Sequence, residues 1–260
     1  MPYFVAILFI CTLLIGCQTK HITSDLTGAS VISKSTISEK DATGEKPLDK
    51  RWTKRIVTQQ ELLQAGRKDP ALTPIACKEI LARLNARAPY HISDDIQSNK
   101  PIKAPNDFRA YKDWSPLPKF ITDFADVPKL MLIVKEHPYI GWYDRGRLQG
   151  DTYACIGKPG EDTEVGVYRV AEKDADHVSR SYNNSYGKPA MMPWALRIYD
   201  TVWIHAGDVT GAYCSHGCVI LPLDPAQEAY AWADLGTVVV VVEALADLPK
   251  VAAQLARQSS

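Results

Sequence analysis

The sequence of 260 residues has no net charge, because 30 lysines and arginines balance 30 aspartates and glutamates. Without a basic excess the chain has no global electric field to attract a polyanion, so we expect no nucleic acid among its partners. Cysteine is scarce as well: six in this length are too few for a disulfide scaffold and too scattered for a zinc ribbon. With 46% hydrophobic and 23% charged residues, the composition is that of a globular protein. It excludes wholesale disorder, a collagen-like repeat and a polytopic membrane protein.

An apolar run near the N-terminus predicts export. Residues 3–15 are almost unbroken in apolar character, which suits the ~7–15-residue core of a signal peptide and falls short of the ~20 residues of a spanning helix. The run ends in Leu14-Ile15-Gly16-Cys17, which resembles the bacterial lipobox, although no lysine or arginine precedes it. We therefore expect residues 1–17 to be a lipoprotein signal peptide, with lipid on Cys17 as the membrane attachment. The alternatives are an ordinary exported chain or an uncleaved anchor in which Cys17 has no role.

The residues after Cys17 are expected to form a flexible tether in the cell envelope. Gln18 stands where an inner-membrane retention signal has aspartate, which favours a periplasm-facing lipoprotein of the outer membrane. Residues 18–50 hold ten serines and threonines and no aromatic side chain, too little apolar surface to order the chain. We extend the tether to residue 57, across a basic cluster around Trp52 that either contacts an anionic surface or is simply solvated.

Residues 58–128 are predicted to form a helical and irregular N-terminal segment. Two N-cap signals, Thr58 and Thr73, predict two short helices. Cys77 falls on the apolar face of the second helix, where it is either a small buried hydrophobe or a disulfide partner of Cys155. Six prolines between residues 89 and 128 predict an irregular connection.

From residue 129 the pattern is that of β-structure. Short apolar or alternating runs, separated by turn residues, predict strands at residues 130–134, 139–143, 149–156 and 165–170. Five consecutive valines at 238–242 suit a strand buried on both faces, and the alanine-rich residues 223–234 suit a helix. The predicted fold is therefore mainly β with helices (α+β), with a domain over residues 129–244 and a C-terminal tail over residues 245–260.

The side chains that carry chemistry are concentrated between residues 204 and 219. Two histidines and two cysteines lie there among glycines: His205, Cys214, His216 and Cys218. As metal ligands these four would be crowded on one segment at a spacing unusual for zinc. As purely structural residues they would have to be buried beside a turn. The third interpretation is a nucleophilic cysteine with a histidine base, because a thiol of pKa ~8.5 needs a neighbouring imidazole to become a thiolate at neutral pH.

The nucleophile interpretation has the groups that it requires. His205 can accept the thiol proton, and its other ring nitrogen needs a partner to fix the tautomer. Asp208 or a backbone carbonyl is available for that purpose. N–H groups around Gly217 and Cys218 are placed to stabilise the oxyanion of an acyl intermediate.

Two motifs resemble those of a known family. His205-Ala206-Gly207 followed by Ser215-His216-Gly217-Cys218-Val219, with the upstream Met192-Pro193-Trp194-Ala195-Leu196-Arg197, is similar to the L,D-transpeptidase (YkuD) catalytic domain over roughly residues 129–243. The resemblance implies a β-sandwich-like domain with its cysteine beside a substrate tunnel. It makes Cys218 the nucleophile, His205 the base and later acid, and His216 a second active-site imidazole. The carbonyl of Ala206 would orient His205, while Gly207, Ser215 and Gly217 would support the site.

The resemblance also implies an activity. The family acts on peptidoglycan stem peptides without a cofactor or metal, releases D-Ala from meso-diaminopimelate through a thioester and passes the acyl group to an acceptor amine. The protein would then serve cell-wall biosynthesis and cell shape, with carbapenems as covalent inhibitors. The alternatives are an L,D-carboxypeptidase or cross-link hydrolase on the same acyl-enzyme, and a lipoprotein that only binds peptidoglycan. Tyr186, Trp194 and Arg197 are the candidates for substrate contact, although both aromatics suit a β core equally well.

Several residues near the site have open roles. Ile220 stands where the family usually has arginine, so Arg197 is considered as a substitute cation. Cys214, four residues before the nucleophile, is expected to be either a buried free thiol or a disulfide partner of Cys218. His137 and His177 are interpreted as exposed residues without a role.

Overall fold

Two stacked β-sheets form the centre of the fold in the computed structural model, which describes residues 48–184 and 186–258. The predicted signal peptide, Cys17 and the tether as far as residue 47 lie outside the described residues. Within the described ranges the helices are α1 (Gln59–Lys68), α2 (Pro74–Asn85), α3 (Pro89–Gln97), α4 (Leu223–Trp232) and α5 (Leu248–Gln258). The early strands are β1 (Trp52–Arg55), β2 (Ile102–Pro105), β3 (Lys129–Val134), β4 (Tyr139–Asp144), β5 (Arg147–Tyr153), β6 (Ile156–Gly157) and β7 (Gly166–Arg169). The later strands are β8 (Glu172–Asp174), β9 (Val178–Asn183), β10 (Pro189–Met191), β11 (Ala195–Tyr199), β12 (Val202–Ala206), β13 (Tyr213–Ser215), β14 (Val219–Leu221) and β15 (Val238–Val242).

The larger sheet has five strands in the order β5-β4-β3-β15-β7, and the smaller has four in the order β14-β12-β11-β8. Most neighbours are antiparallel, but β15 pairs with β3, and β14 with β12, in parallel. The turn between β4 and β5 is formed by Arg145 and Gly146, both at positive φ, as a tight hairpin requires. The mixed α+β sandwich predicted from the sequence is thus confirmed.

Strands β3 and β15 bury both of their faces, as the five valines predicted. Leu130, Leu132, Val238 and Val240 face the helices of the N-terminal segment. Met131, Ile133, Val239 and Val241 face the smaller sheet and helix α4. Because successive side chains of a strand point to opposite faces, one sheet serves two apolar cores. The smaller sheet is therefore supported from behind and presents its other face to solvent.

The N-terminal segment is more regular than its sequence suggested. The prediction of a tether as far as residue 57 is wrong for residues 52–55, which form β1 and pair with β2. Arg55 orders this strand through bonds to the Glu61 carboxylate and the Pro105 carbonyl. The predicted irregular connection after residue 88 instead begins with helix α3, because Pro89 occupies its first turn, where proline needs no N–H partner.

The C-terminal residues are also ordered as far as residue 258. The predicted tail contains helix α5, whose Leu248, Val251, Ala252 and Leu255 pack against the core shared with the N-terminal segment. This i, i+3, i+4, i+7 spacing is the stripe of an amphipathic helix. In the described part of the chain, the helices are all too short or too polar to cross a bilayer.

Candidate active site

The solvent-facing side of the smaller sheet carries a cavity of about 300 Å³ that contains Cys218. The hairpin of β9 and β10 and the start of β12 form its walls. The side chains that line it include His177, Tyr182, Arg197, Trp203, His216 and Cys218. One thiol, two imidazoles and the guanidinium groups of Arg180 and Arg197 therefore share one concave surface, an arrangement expected of a catalytic rather than a purely structural region.

A hydrogen-bonded turn fixes the position of Cys218 at the start of β14. The hydroxyl of Ser215 donates to the carbonyl of Cys218 at 2.5 Å and accepts from the N–H of Gly217 at 3.2 Å. Thr163 donates to the carbonyl of Gly217 at 2.8 Å. Gly217 has φ +111°, a conformation that L side chains rarely adopt, so glycine is required there. These hydrogen bonds and the conformation of Gly217 fix the backbone that carries Cys218.

The Cys218 thiol is free, half-buried and protonated at rest. It packs against Met192, Ala195 and Trp203. This burial raises the pKa of the thiol, while a hydrogen bond with the backbone of Trp203 partly opposes the rise. A thiol in this state needs a base before it can act as a nucleophile.

His205 lies on β12, two residues from Trp203, so both side chains point to the same face of the sheet. Their neighbours Ile204 and Ala206 point the other way, into the core. The ring of His205 is buried, and its Nδ1 lies 2.8 Å from the carbonyl of Ala206, the contact expected from the resemblance. Burial lowers the pKa of His205 to about 4. The imidazole is therefore neutral, with Nδ1–H donated to the carbonyl and Nε2 left to accept a proton.

His216 occupies a more open position in the same cavity. Its ring stacks on Tyr182, with centroids 4.4 Å apart, and its Nε2 lies 3.6 Å from the Glu161 carboxylate. Nearly half of the side chain is exposed. The structure thus places His205 in the sheet and His216 at the mouth of the cavity, which are positions suited to different tasks.

The three residues named for substrate contact have different environments. Arg197 lines the cavity and pairs with Glu172 at 3.0 Å. Tyr186 is 86% exposed in the turn between β9 and β10, outside the cavity lining. Trp194 packs instead against Tyr230, with ring centroids 5.5 Å apart, at the edge of the core behind the sheet. That position matches the alternative of a core aromatic for Trp194.

Asp208 does not orient His205. Its carboxylate binds the ring of His91 at 2.8 Å and accepts from the hydroxyl of Tyr90, both on α3. The N–H of Ala88 also donates to the carbonyl of Val209 at 2.9 Å. The N-terminal segment therefore holds in place the loop between His205 and Cys218.

Sequence reasoning missed His177. It was interpreted as exposed and without a role, but its side chain is 18% exposed and lines the cavity of Cys218. The ring stacks on Trp203, with centroids 4.0 Å apart, and its Nδ1 lies 3.0 Å from the Asp174 carboxylate. The only sequence signal was the i, i+3 spacing of Asp174 and His177 in a charged turn.

Both expectations for Cys214 were wrong. It forms a disulfide with Cys155, with Cα atoms 5.6 Å apart, which removes it as a free thiol and as a partner of Cys218. Cys77 is buried and free, so its pairing with Cys155 is also excluded. A metal site made of the two histidines and two cysteines loses a ligand to this bond. The partner could not be found from sequence, because β6 and β13 bring residues 59 positions apart together.

The disulfide joins strand β13, shortly before Cys218, to the residues that link β5 and β6. Cys155 and Ile220 exchange two backbone hydrogen bonds, at 2.8 and 2.9 Å, so the bond also lies beside the strand that follows the nucleophile. We expect Cys155→Ser and Cys214→Ser to lower the free energy of unfolding by about 2–4 kcal/mol. The disulfide links residues 59 positions apart and so restricts the conformational entropy of the unfolded chain. Urea denaturation under non-reducing conditions measures this loss, with dithiothreitol-treated wild type as the matched control. A wild-type midpoint that stays unchanged after verified reduction would contradict it.

The fold and the site together define a class: an α+β sandwich with a histidine on one strand and a cysteine immediately before the parallel strand beside it. Residues 128–241 match the family model of the L,D-transpeptidase catalytic domain, YkuD. The predicted resemblance to that family is thereby confirmed over this segment. A search of curated proteins gives no match to the chain.

Solved structures of L,D-transpeptidases are similar to part of the chain. The enzyme from Mycobacterium smegmatis is 20% identical, over 44% of this chain and 58% of that one, with a TM-score of 0.40. L,D-transpeptidase 3 from Mycobacterium tuberculosis, in complex with a faropenem-derived adduct, is 20% identical over 45% and 60%, with a TM-score of 0.41. The catalytic domain from E. faecium is 26% identical over 45% and 98%, with a TM-score of 0.39. The chain thus spans about three fifths of the length of the two mycobacterial structures.

Proposed function

We propose that the protein is a cysteine-dependent L,D-transpeptidase that acts on peptidoglycan stem peptides. The observation that carries the proposal is the free Cys218 thiol in a cavity, next to Trp203 on the strand and face that hold His205. The family match over residues 128–241 supports the reaction class. The specific donor and acceptor are part of the proposal.

In the proposed first half-reaction, Nε2 of His205 takes the thiol proton as Sγ of Cys218 attacks the carbonyl of the bond between meso-diaminopimelate and D-Ala. The C–N bond then breaks, the proton passes from His205 to the leaving amine of D-Ala, and a thioester remains on Cys218. The low pKa of His205, about 4, favours the return of the proton to the leaving amine, whereas removal of the thiol proton has to be concerted with the attack of Sγ. In the second half-reaction an acceptor amine attacks the thioester and releases the thiol.

The N–H of Gly217 was expected to help stabilise the oxyanion, but it has another partner. It already donates to the hydroxyl of Ser215, so it is not available to a tetrahedral intermediate. We assign this task to the backbone N–H of Cys218, whose direction is set by the same turn. Ser215 then supports the site through the carbonyl of Cys218.

Ile220 does not take part in the proposed chemistry. Its side chain is on the same face of the strand as Cys218 and in register with His205, where it packs beside Gly207 and against the cluster that contains Cys155. Arg197, which lines the cavity, is the better placed cation for a substrate carboxylate, although Glu172 shares it. The absence of arginine at position 220 therefore leaves acylation intact.

The experiment that tests the function uses a purified tetrapeptide muropeptide. Incubation with the protein is expected to release D-Ala and yield a cross-linked dimer, resolved by liquid chromatography and mass spectrometry. Tripeptide monomer without dimer would identify the carboxypeptidase alternative. An unchanged tetrapeptide, with the protein folded by circular dichroism, would leave only the binding alternative. Because a β-lactam carbonyl can accept the same thiolate, carbapenems are the proposed covalent inhibitors.

We also propose that lipid on Cys17 places the protein at the periplasmic face of the outer membrane. The lipobox-like residues support this, since two or more acyl chains give stable attachment. Cys17→Ser is expected to move the protein to the soluble periplasmic fraction or leave it as an unprocessed precursor. Fractionation of cells with antibody detection measures the shift, with Cys11→Ser as the matched control. Outer-membrane recovery of the Cys17→Ser protein would contradict the proposal.

A further inference from the structure

His177 and His216 are the imidazoles that line the cavity, and the proposed acylation uses neither of them. His177 follows β8 and precedes β9, and two contacts fix it: its Nδ1 meets Asp174 at 3.0 Å, and its carbonyl accepts the N–H of Met192 at 2.8 Å. Its ring lies on Trp203, the residue against which Cys218 packs. A histidine held this firmly, on a surface shared with a nucleophile, is placed to act on whatever approaches that nucleophile.

Asp174 determines which ring nitrogen of His177 can accept a proton. A carboxylate at Nδ1 favours the tautomer with hydrogen on Nδ1, so Nε2 carries the lone pair. The same carboxylate stabilises the imidazolium after a proton has been taken. The pair therefore has the two features that a general base requires.

The other two imidazoles have different surroundings. His205 is buried in the sheet with one nitrogen on the Ala206 carbonyl, and it is not among the side chains that line the cavity of Cys218. His216 lies against Tyr182 and the Glu161 carboxylate at the mouth of the cavity. His177 is thus the cavity-lining imidazole that combines an oriented tautomer with a place on Trp203, the residue against which Cys218 packs.

We propose that His177, oriented by Asp174, is the base that receives the proton of the acceptor amine in the second half-reaction. This inference rests on the proposed function, because it requires a thioester on Cys218. An amine of ordinary pKa, ~10, is protonated at neutral pH and must lose a proton before it can attack. A base placed beside the acceptor amine therefore raises the rate of transfer to that amine.

The proposed step balances as follows. The acceptor ammonium first gives one proton to solvent. The neutral amine nitrogen then bonds to the thioester carbonyl carbon, and its surplus proton passes to Nε2 of His177. The C–S bond breaks with its electron pair on Sγ of Cys218, and the peptide product leaves. The proton then returns from His177 to Sγ through solvent, which restores the resting thiol and the neutral imidazole.

Two variants test whether His177 acts as a base or only packs its ring on Trp203. His177→Phe keeps an aromatic ring on Trp203 but has no proton acceptor, and Asp174→Asn keeps the ring but removes the charge that orients it. His137→Gln, an exposed histidine remote from Cys218, is the control. The measurements are the rate of carbapenem adduct formation by intact mass, and the ratio of dimer to tripeptide from a tetrapeptide muropeptide.

We expect His177→Phe to form the carbapenem adduct at a rate within about threefold of wild type and to lower the dimer-to-tripeptide ratio about tenfold or more. Asp174→Asn should lower the same ratio by a smaller factor, and added imidazole should restore dimer formation in His177→Ala. An unchanged ratio in His177→Phe, or an equal fall of adduct formation and dimer formation, would overturn the inference while wild-type transfer stands. A wild-type protein that forms no thioester with the tetrapeptide would overturn the proposed function itself.

Discussion

Replacing Cys218 with alanine abolishes covalent adduct formation with a carbapenem and all turnover of a tetrapeptide muropeptide. Within residues 48–184 and 186–258, no other thiol is placed to substitute for it: Cys77 is buried among helices, and Cys155 and Cys214 are joined to each other. The thioester has no other atom on which to form, so the effect is a complete loss rather than a slower rate. Intact-mass spectrometry of the protein after incubation with a carbapenem measures it.

The fold of the Cys218→Ala protein should survive, which makes the loss interpretable. The side chain is half-buried at the edge of a small cluster, and the turn that holds residue 218 depends on the hydroxyl of Ser215 and on backbone groups. The thermal midpoint is therefore expected to remain near that of wild type. An adduct of the same mass on Cys218→Ala, or one mapped to Cys77 in wild type, would contradict the assignment.

Replacing His205 with alanine lowers the rate of adduct formation by about 10²–10⁴-fold, since the protonated thiol of Cys218 loses its base. The wild-type rate should also fall as the pH is lowered through about 4, where His205 becomes protonated, rather than near the ordinary histidine pKa. Burial raises the pKa of the Cys218 thiol, so no thiolate forms in advance at these pH values and the fall in rate reports the protonation of His205. Adduct formation by intact mass across pH 3.5 to 8 tests both statements.

His216→Ala is the matched control for His205→Ala. Its ring is exposed at the cavity mouth and interacts with Tyr182 and Glu161, so its loss should affect adduct formation less than the loss of His205. A larger defect in His216→Ala than in His205→Ala would require the two roles to be exchanged. An acid limb near pH 6.5 would show that the base is a histidine in ordinary surroundings.

The core of the catalytic domain could be predicted because its signals are local. Five valines in a row and the apolar residues 130–134 specify strands that bury both faces, and Arg145-Gly146 specifies the hairpin turn. The turn at residues 215–218 was predicted as a site because histidine, cysteine and glycine occur together there. Its placement beside Trp203 follows from parallel pairing of β12 with β14, which sequence spacing does not reveal.

The features that sequence reasoning missed depend on contacts between distant segments. Cys155 meets Cys214 only because β6 lies beside β13, and residues 52–55 become a strand only because β2 pairs with them. His177 lies in a charged turn, and nothing local shows that the turn packs on Trp203. Helix α3 was missed for a local reason: a proline that begins a helix was counted with those that interrupt one.

In the proposed reaction Cys218 carries the acyl group of the stem peptide. The most direct measurement is peptide mapping by mass spectrometry of the protein quenched in acid during turnover of a tetrapeptide muropeptide. We expect a thioester adduct on the peptide that contains Cys218. Its added mass should equal that of the tetrapeptide muropeptide minus the released D-Ala, and hydroxylamine should remove it. Turnover of the tetrapeptide in the absence of any adduct on Cys218, or by the Cys218→Ala protein, would contradict it.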